Sequence, residues 1–330
     1  MSSSNDAVVK TTFLEGQGLG NQLWVYASAR ATAKKLNRPH VCEGFKQFKG
    51  QSFLQLATDS DPSELAPVEQ FNEILFYDEQ LKYFSSTYDA RVENLPVRVH
   101  LNGLFQSEQY LSGYAHQLKQ WIVPSQRLKY AAQDFHQTCV LNLRGGEFKR
   151  HKDLVLPKIY WEMALKKMRD IVDFDDILVV TDDIPYARAL FPRFNIFSGG
   201  IEDCYGALMG AKSIIASNSS FSYFPIKTRA DQPIVIAPEH WARFGHVRKR
   251  WAMPANCYSD WLYLTVDGSL KHADECARDA QSDATYYDST FSLRVSKDHQ
   301  VGRLKTSFIP NAVKRPLKWV LSRLFPKRFG

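Results

Sequence analysis

The sequence predicts an α/β fold built on parallel sheet, and three observations carry that prediction. In the second half, short apolar runs alternate with stretches of helical spacing. Near the N-terminus an apolar run passes straight into a glycine-rich loop and then into a helical pattern. At 330 residues the chain exceeds the usual single-core size, so one large or two medium domains are expected.

Val8 to Leu14 reads as the first strand, and the loop Gly16-Gln17-Gly18-Leu19-Gly20 follows it. Leu23, Tyr26, Ala27, Arg30, Ala31 and Lys34 stand three or four apart, which predicts a helix over 21–37. Pro39 stops it, and His40-Val41-Cys42 opens another strand. Residues 46–99 are weakly patterned, and no element is assigned there. Later strands are expected at Cys139–Leu143, Ile177–Thr181, Ser213–Ala216 and Gln232–Ala237, with helices at Tyr160–Ile171 and Cys204–Gly210. In such sheets ligands bind beyond the carboxyl ends of the strands. Arg144, Asp182 and Ser219 each lie just after a predicted strand and are expected to converge on one rim. Asp267 to Ser289 reads as a polar linker.

The hydrophobic content of 44% and charged content of 23% are those of an ordinary globular protein. Five widely spaced cysteines without a CxxC argue against a disulfide framework or structural zinc site and suit a reducing compartment. The polar first ten residues hold no apolar signal segment, and no run of about 18 apolar residues occurs. The net charge of +7 is concentrated at the end: residues 303–330 hold eight Lys and Arg and no acid, leaving 34 basic against 35 acidic residues elsewhere. That distribution argues against a nucleic-acid binder and for a local anionic partner of the tail. Within the tail, Pro316 suits a first helical turn, and Leu317, Val320, Leu321, Leu324 and Phe325 form one apolar face of a basic amphipathic helix.

A glycine loop opening a helix suits an anion, because free N–H groups and the helix dipole point at it. The loop nevertheless departs from a dinucleotide fingerprint, since Asn21 stands where a third glycine belongs, and it lacks a Walker lysine. Taken alone it is equally a plain tight turn. Arg144 at a strand end can grip two phosphate oxygens or form a surface ion pair. Ser219 and Ser220 offer hydroxyls to a second phosphate or simply cap a helix. Asp182 and Asp183 accept hydrogen bonds from a ribose or base, or cap a helix. Two DxD spacings, Asp59-Ser60-Asp61 and Asp173-Phe174-Asp175, lack the preceding strand that a metal-binding motif needs. The nine histidines show no HExxH, and no GxSxG elbow occurs.

Five segments, in order, resemble the α-1,2-fucosyltransferases of glycosyltransferase family 11. Gly18-Leu19-Gly20-Asn21-Gln22-Leu23 is similar to the family's G-G-L-G-N-Q opening, and Gly103 to Leu111 to its G-Y-F-Q-S-E-x-Y-F stretch. Asn142-Leu143-Arg144-Gly145-Gly146-Glu147-Phe148 falls where the family has H-x-R-R-G-D-Y. Thr181-Asp182-Asp183 resembles S-D-D, and Asn218 to Phe224 resembles N-S-S-F-S-W-W. The departures are Asn142 for the histidine, Gly145 for the second arginine, Glu147 for the aspartate and Tyr223-Phe224 for the tryptophans.

The resemblance implies a GT-B-type fold with two Rossmann-like domains: residues 1–135 on the acceptor side, 136–266 binding the nucleotide sugar, a linker over 267–302 and the basic tail over 303–330. It implies an inverting, metal-independent transferase using GDP-fucose. Arg144 would stabilise the leaving diphosphate in place of a metal ion. Glu147 would act as a base or orient Arg144. Gly18, Gly20, Asn21, Gln22, Asn142, Asp182, Asp183, Asn218, Ser219, Ser220 and Phe221 would hold the donor. The acceptor would be an oligosaccharide or lipid-linked glycan, with the tail on an anionic membrane surface at the inner, cytoplasmic face. Because of Asn142 and Gly145, another GDP- or UDP-sugar stays open as donor, as does an inactive carbohydrate-binding protein of the same fold.

Overall fold

The computed structural model describes residues 6–62, 66–197, 199–246, 254–283 and 291–295. The basic tail over 303–330 lies outside the described residues. The chain opens with β1 (Val8–Thr12), α1 (Leu19–Lys35) and β2 (His40–Glu43). It continues through β3 (Leu54–Leu56), β4 (Glu69–Asn72), the hairpin β5 (Ile74–Asp78) and β6 (Tyr83–Ser86), and β7 (Arg98–Asn102). A one-turn α2 (Leu118–Trp121), β8 (Ile122–Pro124) and α3 (Gln126–Ala132) lead into the second half. There follow β9 (Thr138–Leu143), α4 (Lys158–Ile171), β10 (Asp176–Thr181), α5 (Ile184–Leu190), β11 (Asn195–Phe197), α6 (Ile201–Gly210), β12 (Ser213–Ala216), α7 (Tyr223–Lys227) and β13 (Ile234–Pro238). The last described elements are β14 (Leu262–Leu264), β15 (Leu270–His272), α8 (Ala273–Asp283) and β16 (Phe291–Val295).

The first lobe holds a four-stranded sheet in the order β2-β1-β7-β4, all parallel. The second holds seven strands in the order β11-β10-β9-β12-β13-β14-β15, parallel except for the last pair. The α/β class with two parallel sheets is as the sequence predicts. All six residues of β9 are buried, as expected of a strand covered on both faces.

Helix α1 joins the lobes. Fourteen of its seventeen residues are buried, so it lacks the polar face of a surface helix. It lies on the first sheet and also meets the second lobe. Trp24 sits with its ring centroid 4.2 Å from Tyr223 and 5.6 Å from Tyr258. One apolar cluster therefore runs from Phe13, Trp24 and Tyr26 into Val140, Ala216 and Tyr223. Side chains of this size each contribute on the order of 2–3 kcal/mol when fully buried, so the two halves share their main source of stability.

The weakly patterned stretch over 46–99 carries β3 to β6, short strands of three to five residues. The described residues of the polar stretch expected as a linker are instead structured. The stretch contains β15 and α8, and β16 follows within the 267–302 segment. Its acidic residues Asp274 and Glu275 occupy the first turn of α8, where the helix dipole favours them, and Arg278 pairs with Asp274 at 2.8 Å. Cys276 and Ala280 supply the buried face. β16 then returns to pair antiparallel with β5, Leu293 standing opposite Phe76.

Candidate nucleotide-sugar site

In the second sheet the chain runs outward from β9 through β10 to β11, then returns to the other side of β9 as β12. The strand order thus reverses between β9 and β12, where Asn142 stands in register with Ala216. A crevice opens beyond the carboxyl ends at such a point. A cavity of about 860 Å³ occupies it, closed on the far side by the glycine loop of the first lobe and by the β5–β6 hairpin. A cavity that size accommodates a nucleotide-sized ligand.

Arg144 lies one residue past β9. Its Nη1 pairs with Asp182 Oδ2 at 2.6 Å, and its Nη2 lies 3.5 Å from Glu147 Oε1. The guanidinium also stands 5.3 Å from the Phe148 ring. Its Nε is buried without a partner. Asp182 Oδ1 accepts the Gly145 N–H at 2.9 Å, tying the loop after β9 to the end of β10. Gly145 and Gly146 make this approach possible. A Cβ on Gly145 would meet the Asp183 Cβ at 2.8 Å, and one on Gly146 would strike the Asp182 carboxylate.

Across the cavity, Asn21 Oδ1 receives two donors, Gln106 Nε2 at 2.8 Å and Ser220 Oγ at 2.7 Å. Asn21 comes from the first turn of α1 and Ser220 from the turn after β12, so this oxygen links the lobes at the cavity wall. Ser219 Oγ accepts the Phe221 N–H at 3.3 Å and caps the same turn. The lobes touch closely here: a Cβ on Gly20 would lie 2.6 Å from the Ser220 backbone. A second tie lies alongside, where Glu108 accepts from Tyr223 Oη at 2.8 Å and from the Ser259 N–H at 2.6 Å.

Most of the sequence-selected residues meet at this cavity: Gly18, Gly20, Asn21, Asn142, Arg144, Glu147, Asp182, Asn218, Ser219, Ser220 and Phe221 all line it. Asn142 is buried with its Oδ1 unpartnered. Asn218 spends its amide nitrogen on the carbonyls of Leu154 and Trp241. Two residues are placed elsewhere. Gln22 is fully buried one step around α1, where its side chain donates to Gln47 O at 2.7 Å and accepts the Lys49 N–H at 2.9 Å. Asp183 accepts the Tyr186 N–H as the cap of α5 and pairs with Lys149, which holds its carboxyl below the usual range.

The cavity also has residues that sequence reasoning missed. Lys49, Lys82, Arg150, His151, Gln106 and Trp241 line it. Its Lys and Arg side chains number four against the two carboxylates of Glu147 and Asp182, a formal surplus of two positive charges. Lys149-Arg150-His151-Lys152 was a visible basic run just after Arg144, and Trp241 stands in the loop after β13. Lys49 and Lys82 arise in the unpatterned stretch and had no signal. A smaller cavity, of about 160 Å³, lies at the carboxyl ends of β1 and β7 and shares Gln17 with the first. Among the described residues, no group of three or more His, Cys, Asp or Glu side chains is placed to hold a metal ion. Nor is any helix among them long and apolar enough to cross a membrane.

No family model matches the chain, and no curated protein sequence matches it. Solved structures similar to it include the fucosyltransferase NodZ from Bradyrhizobium, at 13% identity over 71% of this chain and 94% of that one, with a TM-score of 0.46. NodZ α-1,6-fucosyltransferase co-crystallised with GDP matches at 13% identity over 71% and 95%, with a TM-score of 0.45. POFUT1 in complex with GDP matches at 13% identity over 71% and 98%, also with a TM-score of 0.45.

Proposed function

We propose that the chain is an inverting glycosyltransferase that takes its sugar from a nucleoside diphosphate, with GDP-fucose as donor, and passes it to a hydroxyl of an oligosaccharide or lipid-linked glycan. The observation that carries this reading is Arg144 at the strand-order reversal, aimed into an electropositive cavity and braced by Asp182 and Glu147. The surplus of two positive charges suits a diphosphate. As the acceptor oxygen bonds to the anomeric carbon, the bond from that carbon to the β-phosphate oxygen breaks and its electron pair stays with the diphosphate. Arg144 stabilises the charge that develops there, the work a divalent ion does in other transferases. Glu147, more exposed than Arg144, takes the acceptor proton. The acceptor enters from the first lobe, beside the smaller cavity at β1 and β7.

The test is calorimetry with GDP, UDP and CMP in the presence of a chelator, on wild type and Arg144→Ala. GDP binding that is lost in the variant supports the reading. A preference for UDP keeps the transferase and moves the donor. Failure of all three to bind overturns the reading in favour of an inactive carbohydrate binder. The basic tail over 303–330 would place the protein on an anionic membrane surface. Unchanged liposome binding after removal of 310–330 would refute that part.

A further inference from the structure

One buried carboxylate takes no part in the chemistry above. Glu73, between β4 and β5, is fully buried. Its Oε2 accepts the N–H groups of Leu104 at 2.7 Å and Phe105 at 2.9 Å. Its Oε1 accepts the hydroxyls of Ser86 at 2.5 Å and Tyr110 at 2.9 Å. No Lys or Arg among the described residues pairs with it. A charge-bearing group buried without a cation is costly, and four donors converging on it offset part of that cost.

What these donors hold is the loop over 103–106. Gly103 has no room for a side chain, since its Cβ would lie 2.5 Å from the Glu73 carboxylate. Phe105 has φ of 50°, a left-handed conformation that a bulky residue adopts only under constraint. The Gln106 N–H donates to Ser86 Oγ at 2.8 Å. Gln106 Nε2 then reaches Asn21 Oδ1, the oxygen that also receives Ser220. With both donors on that oxygen, the amide nitrogen of Asn21 is left to the cavity that Asn21 lines.

We propose that Glu73 is a positioning residue for the donor: it fixes the 104–106 backbone so that Gln106 orients Asn21, whose amide then donates to an oxygen of the nucleotide sugar. This rests on the donor-site reading above. Glu73 itself touches no ligand and acts through Ser86, Gln106 and Asn21.

The chemistry separates a positioning role from simple bulk. In Glu73→Gln the amide oxygen still accepts the two N–H groups. Its NH₂ donates to Ser86 and Tyr110, whose hydroxyls turn to the Thr87 carbonyl, 3.2 Å from each. Glu73→Leu keeps the bulk and leaves the N–H groups unpaired. GDP titration of folded protein is expected to show roughly tenfold weaker binding for Glu73→Leu and near wild-type binding for Glu73→Gln, in keeping with one displaced hydrogen bond. Wild-type affinity in Glu73→Leu overturns the proposal alone, whereas no GDP binding by the wild type overturns the donor reading and this proposal with it. If Glu73→Leu does not fold, Ser86→Ala serves. Its loss of GDP affinity should vanish in a Gln106→Ala background, because both act through one link. Losses that add independently overturn the proposal.

Discussion

Ser220 donates its hydroxyl to Asn21 Oδ1 at 2.7 Å, across a sequence separation of 199 positions. The bond closes the wall of the cavity and joins the first turn of α1 to the turn after β12. Neighbouring contacts share this junction, and its sensitivity to small changes follows from them.

Gly20 and Gly18 offer a paired comparison. A methyl on Gly20 would lie 2.6 Å from the Ser220 carbonyl carbon, whereas one on Gly18 meets nothing within 4 Å. Gly20→Ala should destabilise the protein by roughly 1–3 kcal/mol through overpacking and weaken nucleotide binding. Gly18→Ala should leave stability nearly unchanged. Chemical denaturation and GDP titration of the two variants check this.

Arg144 should tolerate neither alanine nor lysine. Lysine keeps the charge but cannot span Asp182 and Glu147 with a planar fork. We expect Arg144→Ala to weaken GDP binding by about a hundredfold and Arg144→Lys by about tenfold, in line with loss of a charge-assisted contact. Thermal unfolding should move little, because the side chain is partly exposed. Calorimetry and melting curves on the same samples give both quantities.

Gln22 should behave in the opposite way. Its amide serves the backbone of Gln47 and Lys49 and does not line the cavity. Gln22→Leu should cost roughly 1–3 kcal/mol of stability through the unpaired backbone groups, with GDP affinity unchanged in the folded fraction. A large affinity loss without destabilisation would return Gln22 to the donor site.

Glu73 gives the protein a pH signature. Burial pushes its pKa from the ordinary 4.5 up to about 7, against the hydrogen bonds that pull it down. Between those values the folded state holds a proton that the unfolded state has released. Folding is therefore favoured as the pH falls from about 7 toward 4.5, and that gain is lost as the pH rises. Tyr110 stays neutral, its pKa raised further by burial, and Asp89, which accepts the Ile74 N–H, is paired with Arg91 at 2.6 Å. Denaturation of wild type and Glu73→Gln at pH 8, 6 and 5 should show wild type gaining stability relative to the variant toward acid. A constant difference would refute the assignment.

Much of this site was legible because strand ends announce themselves. Arg144, Asp182 and Ser219 follow apolar runs, and strand order alone brings them to one crevice. The glycine loop was legible as a close approach, although the object approached is the Ser220 backbone as well as any ligand. Asn21 and Gln22 were not separable. They are adjacent in sequence, and the roughly 100° between consecutive helical residues sends one to the cavity and the other into the first lobe. Glu73 had no signal either, since a lone glutamate beside an apolar strand reads as a surface residue. Its role depends on a loop thirty residues away and on two hydroxyls that no spacing rule connects. Over its described residues the linker expectation failed because composition was read without period: Asp274, Glu275 and Asp279 make the outer face of a helix whose inner face is Cys276 and Ala280.

The return of β16 to β5 sets an order of completion. A ribosome delivers this chain from its N-terminus, so α1, both parallel sheets and the crevice between β9 and β12 have emerged before residue 291 does. Until then the β5 edge that β16 will cover carries unpaired backbone groups, a template for another chain. The wall that brings Lys82 and Tyr83 to the cavity is thus finished only by a strand made long after the hairpin it joins. A transcript cut short just before that strand would yield a protein with the crevice between β9 and β12 assembled and the β5 edge uncovered.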